Sequence, residues 1–85
     1  MDKRIKIIAA LLHDNRTENQ GIAESSDETA EEYVKRWFGE YCYLTGEYRE
    51  NCTYLYSYLE PLSDILADAV VTDAYNQQIY LYCLD

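Results

Sequence analysis

Eighty-five residues with sixteen carboxylates against seven lysines and arginines, a net charge of −9, make one small domain whose field repels nucleic-acid backbones and attracts basic surfaces. Three widely spaced cysteines, Cys42, Cys52 and Cys83, with His13 as the single histidine, favour neither a disulfide framework nor a zinc site. No apolar run approaches the roughly 18 residues of a membrane-crossing helix, so the expectation is a soluble protein of the reducing cytoplasm.

Taken in order, residues 3–13 place Ile5, Ile8, Ala9, Leu11 and Leu12 on one face of a helix, and the apolar run within them is too short and too quickly interrupted for a signal peptide. Residues 14–26 are polar, contain Gly21 and read as a connection anchored by Ile22. Ser25 and Glu28 have the spacing of a capping box, with Asp27 as the other cap available. The second helix then buries Ala30, Val34, Trp37, Phe38 and Tyr41, carries the i,i+4 pairs Glu31–Lys35 and Glu32–Arg36, and stops before Gly46.

Residues 47–59 admit two readings. As a strand, Tyr54, Tyr56 and Tyr58 alternate with Leu55, Ser57 and Leu59; as a helix, Cys52, Leu55, Tyr56 and Leu59 share a face, and this is the reading we take. Pro61 suits the first turn of a further helix, in which Leu62, Ile65, Leu66, Ala69 and Val70 form an apolar stripe and Glu60, Asp64 and Asp68 a row of acid opposite it. The tail from Asp73 to Leu84 is either a helix capped by Thr72 or Asp73 or, over IYLYC, an edge strand. The fold expected from these periodicities is all-α, a small bundle of three to five short helices in a single domain over 1–85. The alternative is α+β with a short hairpin around 41–59.

No catalytic or metal motif is present. So many carboxylates place some pairs together by chance, so they do not argue for acid–base catalysis, and the Glu60, Asp64, Asp68 spacing lacks a calcium loop's pattern. No catalytic residue, metal or cofactor is therefore expected, and the chain reads as a non-enzyme. Ten tyrosines are the other compositional excess. Tyrosine serves equally at a core margin and on a contact surface. The expected partner-binding set is Asp27, Glu28, Glu31 and Glu32 at the start of the second helix, the row Glu60, Asp64 and Asp68, and Tyr54 and Tyr58 as aromatic anchors. A helix-turn-helix regulator is the alternative, built from KRIKIIAALL and NQGIAESSDETAEEYVKRW, although its recognition helix opens with four acids that would face phosphate.

A short, cysteine-reduced, strongly acidic and aromatic-rich chain, with LSDILADAVVTDAYNQQIYLY near its end, resembles the small phage-encoded inhibitors that include DNA-mimic antirestriction and anti-CRISPR proteins. The resemblance is compositional over the whole chain, with a helical pattern over 62–82. It implies an inhibitor that occupies the basic nucleic-acid channel of a host defence complex, a CRISPR effector or a restriction enzyme, with carboxylates standing in for phosphates. The implied partner is a basic protein surface in a bacterial cytoplasm, with no direct contact to nucleic acid or membrane. A homodimer also stays open, because a domain this small buries only about 60% of its unfolded surface.

Overall fold

The computed structural model describes residues 20–58 and 67–84. It is mainly β: strands β1 (Gln20–Ile22), β2 (Tyr43–Gly46), β3 (Tyr54–Ser57), β4 (Ala69–Thr72) and β5 (Gln78–Cys83) form one antiparallel sheet in the order β1-β3-β5-β4-β2. A single described helix, α1 (Ala30–Trp37), lies against one face. The expected all-α helical bundle does not form, and no helix among the described residues is long and apolar enough to cross a membrane.

The correction has a local cause in each segment. Residues 54–57 satisfy both a helical face and a two-residue alternation, and long-range pairing decides: β3 is hydrogen-bonded to β5 on one side and β1 on the other. The hairpin around 41–59 does not form either, since β2 lies at the sheet's edge, beside β4, away from β3. Ala69 and Val70, which extend the predicted Pro61 helix in the sequence, instead open β4, where the β-branched run Val70, Val71, Thr72 suits a pleated strand. The start of that predicted helix and the predicted helix over 3–13 lie outside the described residues. In the tail the edge-strand alternative was closer than the helix, although β5 occupies the middle of the sheet. Within the connection Ile22 is exposed and its neighbour Ala23 is fully buried. The Gln20–Ile22 strand also removes the second helix that a helix-turn-helix would need.

Alternation sorts the strands into two faces. Tyr54 and Tyr56 of β3, Ile79, Leu81 and Cys83 of β5, Ala69 and Val71 of β4 and Leu44 of β2 pack with Tyr33 and Val34 of α1. On the reverse face Leu55 and Tyr82 are buried beside Ala67 and Tyr80. The tyrosine excess is thereby divided. Tyr33 lies within 5.4 to 6.0 Å of the rings of Phe38, Tyr48 and Tyr54, and its hydroxyl donates to the Ala23 carbonyl at 2.6 Å. The Arg49 N–H donates to the Tyr54 hydroxyl oxygen at 2.7 Å, and the Tyr48 hydroxyl to the Glu28 carbonyl at 2.9 Å. These rings are core with satisfied hydroxyls, as buried tyrosine requires.

Helix α1 is capped later than predicted, two residues beyond Asp27 and four beyond Ser25. Thr29, rather than Ser25 or Asp27, is the N-cap: its side chain accepts from the Glu32 N–H while the Glu32 carboxylate accepts from the Thr29 N–H at 3.0 Å. Ser25 instead holds the end of the loop before β3, accepting from the Cys52 N–H at 2.7 Å. The helix ends at Phe38, before Gly39 at φ 135°, well short of Gly46, so Tyr41 stands outside it. Replacing Thr29 by alanine removes the side-chain half of the cap, leaving the backbone N–H to the Glu32 carboxylate, and is expected to cost about 1 kcal/mol, read as a lowered urea midpoint with an unchanged slope.

Candidate functional site

The acidic residues expected to form one surface separate into three fates. Glu28 is held by Arg36, whose Nε donates to Oε2 at 3.1 Å, and by Ser26; the Arg36 guanidinium keeps its carboxyl below the ordinary glutamate range. Glu32 is lowered by the Thr29 backbone N–H and hydroxyl of the cap, and Glu31 pairs with Lys35 at 3.2 Å. The predicted Glu32–Arg36 pair is replaced by Glu28–Arg36. Asp68 belongs to the sheet rather than to a helical row: its carboxylate accepts the Cys83 N–H at 2.6 Å, and its own N–H and that of Glu47 continue the ladders on either side. Glu60 and Asp64 lie outside the described residues.

Asp27 alone of the described predicted acids is exposed with no ion pair or hydrogen bond to its carboxylate. It shares that condition with Glu24, Glu40, Glu47 and Glu50, which the periodicities did not single out. Tyr54, expected as an anchor on the surface, is buried and cannot reach a partner in this conformation, whereas Tyr58 is partly exposed at the end of β3. The most exposed rings are Tyr41, Tyr43 and Tyr75, at 79%, 56% and 92%. Among the described residues no group of His, Cys, Asp and Glu is arranged to hold a metal, and all three cysteines are free thiols.

The sheet's two edges differ. Along β1 the outward carbonyl of Glu24 accepts from both the Trp37 Nε1 (2.8 Å) and the Arg36 Nη2 (2.9 Å), and the guanidinium lies 5.0 Å from the Trp37 ring. Helix α1 thus caps the end of that edge just beyond β1, where side chains take up an outward carbonyl. Among the described residues strand β2 has no such cover: Tyr43, Thr45 and Gly46 are exposed. The Glu47 N–H donates to the Asp68 carbonyl at 2.9 Å, and Glu47 continues the β2–β4 register directly opposite Asp68. Bonded pairs alternate along an antiparallel ladder, so Thr45 and Tyr43 also bond to β4, and the N–H and C=O of Leu44 and Gly46 point to the open side.

Glu40 and Glu47 flank this strand, and between β2 and α1 lies a groove of about 370 Å³ whose floor includes Ala30, Val34 and Leu44. Periodicity could not find this site, because Glu40 and Glu47 fall on no helical stripe. The available signal was Gly39 and Gly46 bracketing the alternating run EYCYLT. No protein-family model, curated protein or solved structure matches this chain.

Proposed function

We propose that the protein is a non-enzymatic acidic binding module that engages a basic protein surface of the kind that holds nucleic acid, its carboxylates taking the positions of phosphates. The observation that carries this reading is the set of exposed carboxylates left without a cation, Glu24, Asp27, Glu40, Glu47 and Glu50. Lys35, Arg36 and Arg49 are the cations among the described residues, and two of them are already held by Glu31 and Glu28. A field of unneutralised carboxylates steers basic partners toward the protein and raises their association rate at low salt. The compositional resemblance to phage-encoded inhibitors supports a host defence complex in a bacterial cytoplasm, a CRISPR effector or restriction enzyme, as the bearer of that surface.

The test is competitive. A restriction endonuclease and a CRISPR effector, each loaded with labelled duplex DNA, are titrated with the protein; the DNA is displaced, less effectively as salt rises, and less effectively by a Glu24→Lys, Asp27→Lys, Glu50→Lys variant that keeps the native circular dichroism spectrum. Failure to displace DNA from either, or tight salt-sensitive binding of the protein itself to duplex DNA, would overturn the reading.

A further inference from the structure

We propose that the open edge of β2 receives an extended, basic segment of another protein as a sixth strand of the sheet; this rests on the reading of the chain as a module for basic protein surfaces and gives that reading a geometry. An edge strand with unpaired main-chain groups is a template for strand addition. Here Leu44 and Gly46 present their N–H and C=O groups to the open side, two residues apart as an incoming strand requires, while beyond the end of β1 the outward Glu24 carbonyl is taken by Trp37 and Arg36.

The side chains around the edge set the chemistry of the occupant. Residues directly opposite across a ladder share a face, so the residue facing Leu44 projects over the groove floored by Ala30, Val34 and Leu44, with Glu40 at its rim beside Glu31 and Lys35, which pair with each other at 3.2 Å. A lysine or arginine there lays its aliphatic stem on the apolar floor and its charge at the Glu40 carboxylate. On the reverse face the exposed Tyr43 ring offers a surface for a second cation. At the strand's ends Glu40 and Glu47 have no cation of their own. A second copy of this chain fits the same hydrogen bonds poorly in charge, since it would bring a further net charge of −9 to an edge already flanked by Glu40 and Glu47. A basic strand is complementary to Glu40, Tyr43 and Glu47.

The probe is a blocked peptide of about eight residues alternating lysine and valine, long enough at roughly 3.3 Å per residue to run past both flanking glutamates. Its controls are the glutamate–valine counterpart and the lysine peptide N-methylated at alternate residues on either hydrogen-bonding side. The expected result is binding of the lysine peptide alone, slowed hydrogen exchange at the Leu44 and Gly46 amides, and a loss of about tenfold to thirtyfold when N-methylation removes the donors that face β2. Because methylation changes the peptide and not the protein, that comparison is independent of whether a β2 variant folds. Equal binding of the methylated and unmethylated lysine peptides, or shift changes that map to another surface, would overturn strand addition while leaving the acidic-module reading in place. Concentration-dependent dimerisation that protects Leu44 and Gly46 without peptide would overturn it in favour of a second copy. No binding of any lysine peptide also overturns it, and the displacement assay then decides the broader reading separately.

Discussion

Tyr33→Ala is expected to be among the most destabilising single substitutions in the protein, read as a large fall in the urea midpoint. The ring is fully buried between Phe38, Tyr48 and Tyr54, and it links helix α1 to β3 of the sheet. Truncating a buried aromatic side chain costs about 3–5 kcal/mol, against a total of about 5–15 kcal/mol for a typical domain. Tyr33→Phe separates packing from hydrogen bonding, because it keeps the ring and loses only the bond to the Ala23 carbonyl, for about 1 kcal/mol.

The same pair of variants has a pH signature. Burial, with smaller contributions from Tyr54 and Tyr48, pushes the Tyr33 hydroxyl well above the ordinary tyrosine range. The folded pKa is raised, so below about pH 10 both states hold the proton and the contribution to stability is complete. As pH rises beyond that, the unfolded chain ionises first and stability falls. Urea midpoints measured across the alkaline range should therefore decline in the wild type and decline less in Tyr33→Phe; parallel slopes would show that this hydroxyl does not carry the effect.

Gly46→Ala is the second large effect. Gly46 holds φ 103°, and a Cβ placed on it would lie 2.6 Å from the Asp68 carbonyl oxygen and 2.9 Å from the Ala69 Cα, both main-chain atoms that cannot swing aside. Backbone strain and the collision together are expected to cost about 2–5 kcal/mol. Gly39→Ala is the control, since Gly39 also has a positive φ, 135°, but a Cβ there meets only the Cys42 sulfur at 3.8 Å. The difference between the two thermal midpoints isolates the collision from the dihedral preference. A Gly46 variant no less stable than the Gly39 variant would mean that β2 can move off β4 without cost.

The legible parts of the sequence were those whose signals are local. Helix α1 and its Glu31–Lys35 pair follow from the i,i+4 spacing and a capping pattern, although Thr29 replaced the serine expected as cap. The strands were less legible because their residues also satisfied helical spacing. Leu55 and Tyr56 fit a helical face as well as a pleat, and Ala69 and Val70 fell on the stripe begun by Leu62. What settles them is pairing with strands far along the chain, and no short window contains that information.

The candidate site divided in the same way. Asp27 was found as an exposed acid, whereas Glu28 and Glu32 turned out to serve Arg36 and the helix cap, and Asp68 the sheet. Composition announced the tyrosine excess but could not say that Tyr54 goes inside and Tyr41 and Tyr43 outside. Glu40 and Glu47 became visible only when β2 proved to be an uncovered edge.

The strand order β1-β3-β5-β4-β2 also sets a sequence of events for folding. Only β4 and β5 are joined by a short turn, held by the Asp73 carboxylate accepting from the Tyr75 and Gln77 N–H groups at 2.8 Å. Every other pairing joins residues roughly thirty positions apart, whose loop-closure entropy must be met before contact is rewarded. The hairpin at Asp73 is thus the natural seed, and the two outer strands join by long-range closure. Of these, β1 is then fastened just beyond its end by Trp37 and Arg36 on the Glu24 carbonyl, while among the described residues β2 has its inner neighbour and the helix beside it to hold it. The surface offered to a partner is therefore also a margin at which the fold is completed, and occupation of that margin would slow its fraying and lengthen the lifetime of the folded protein.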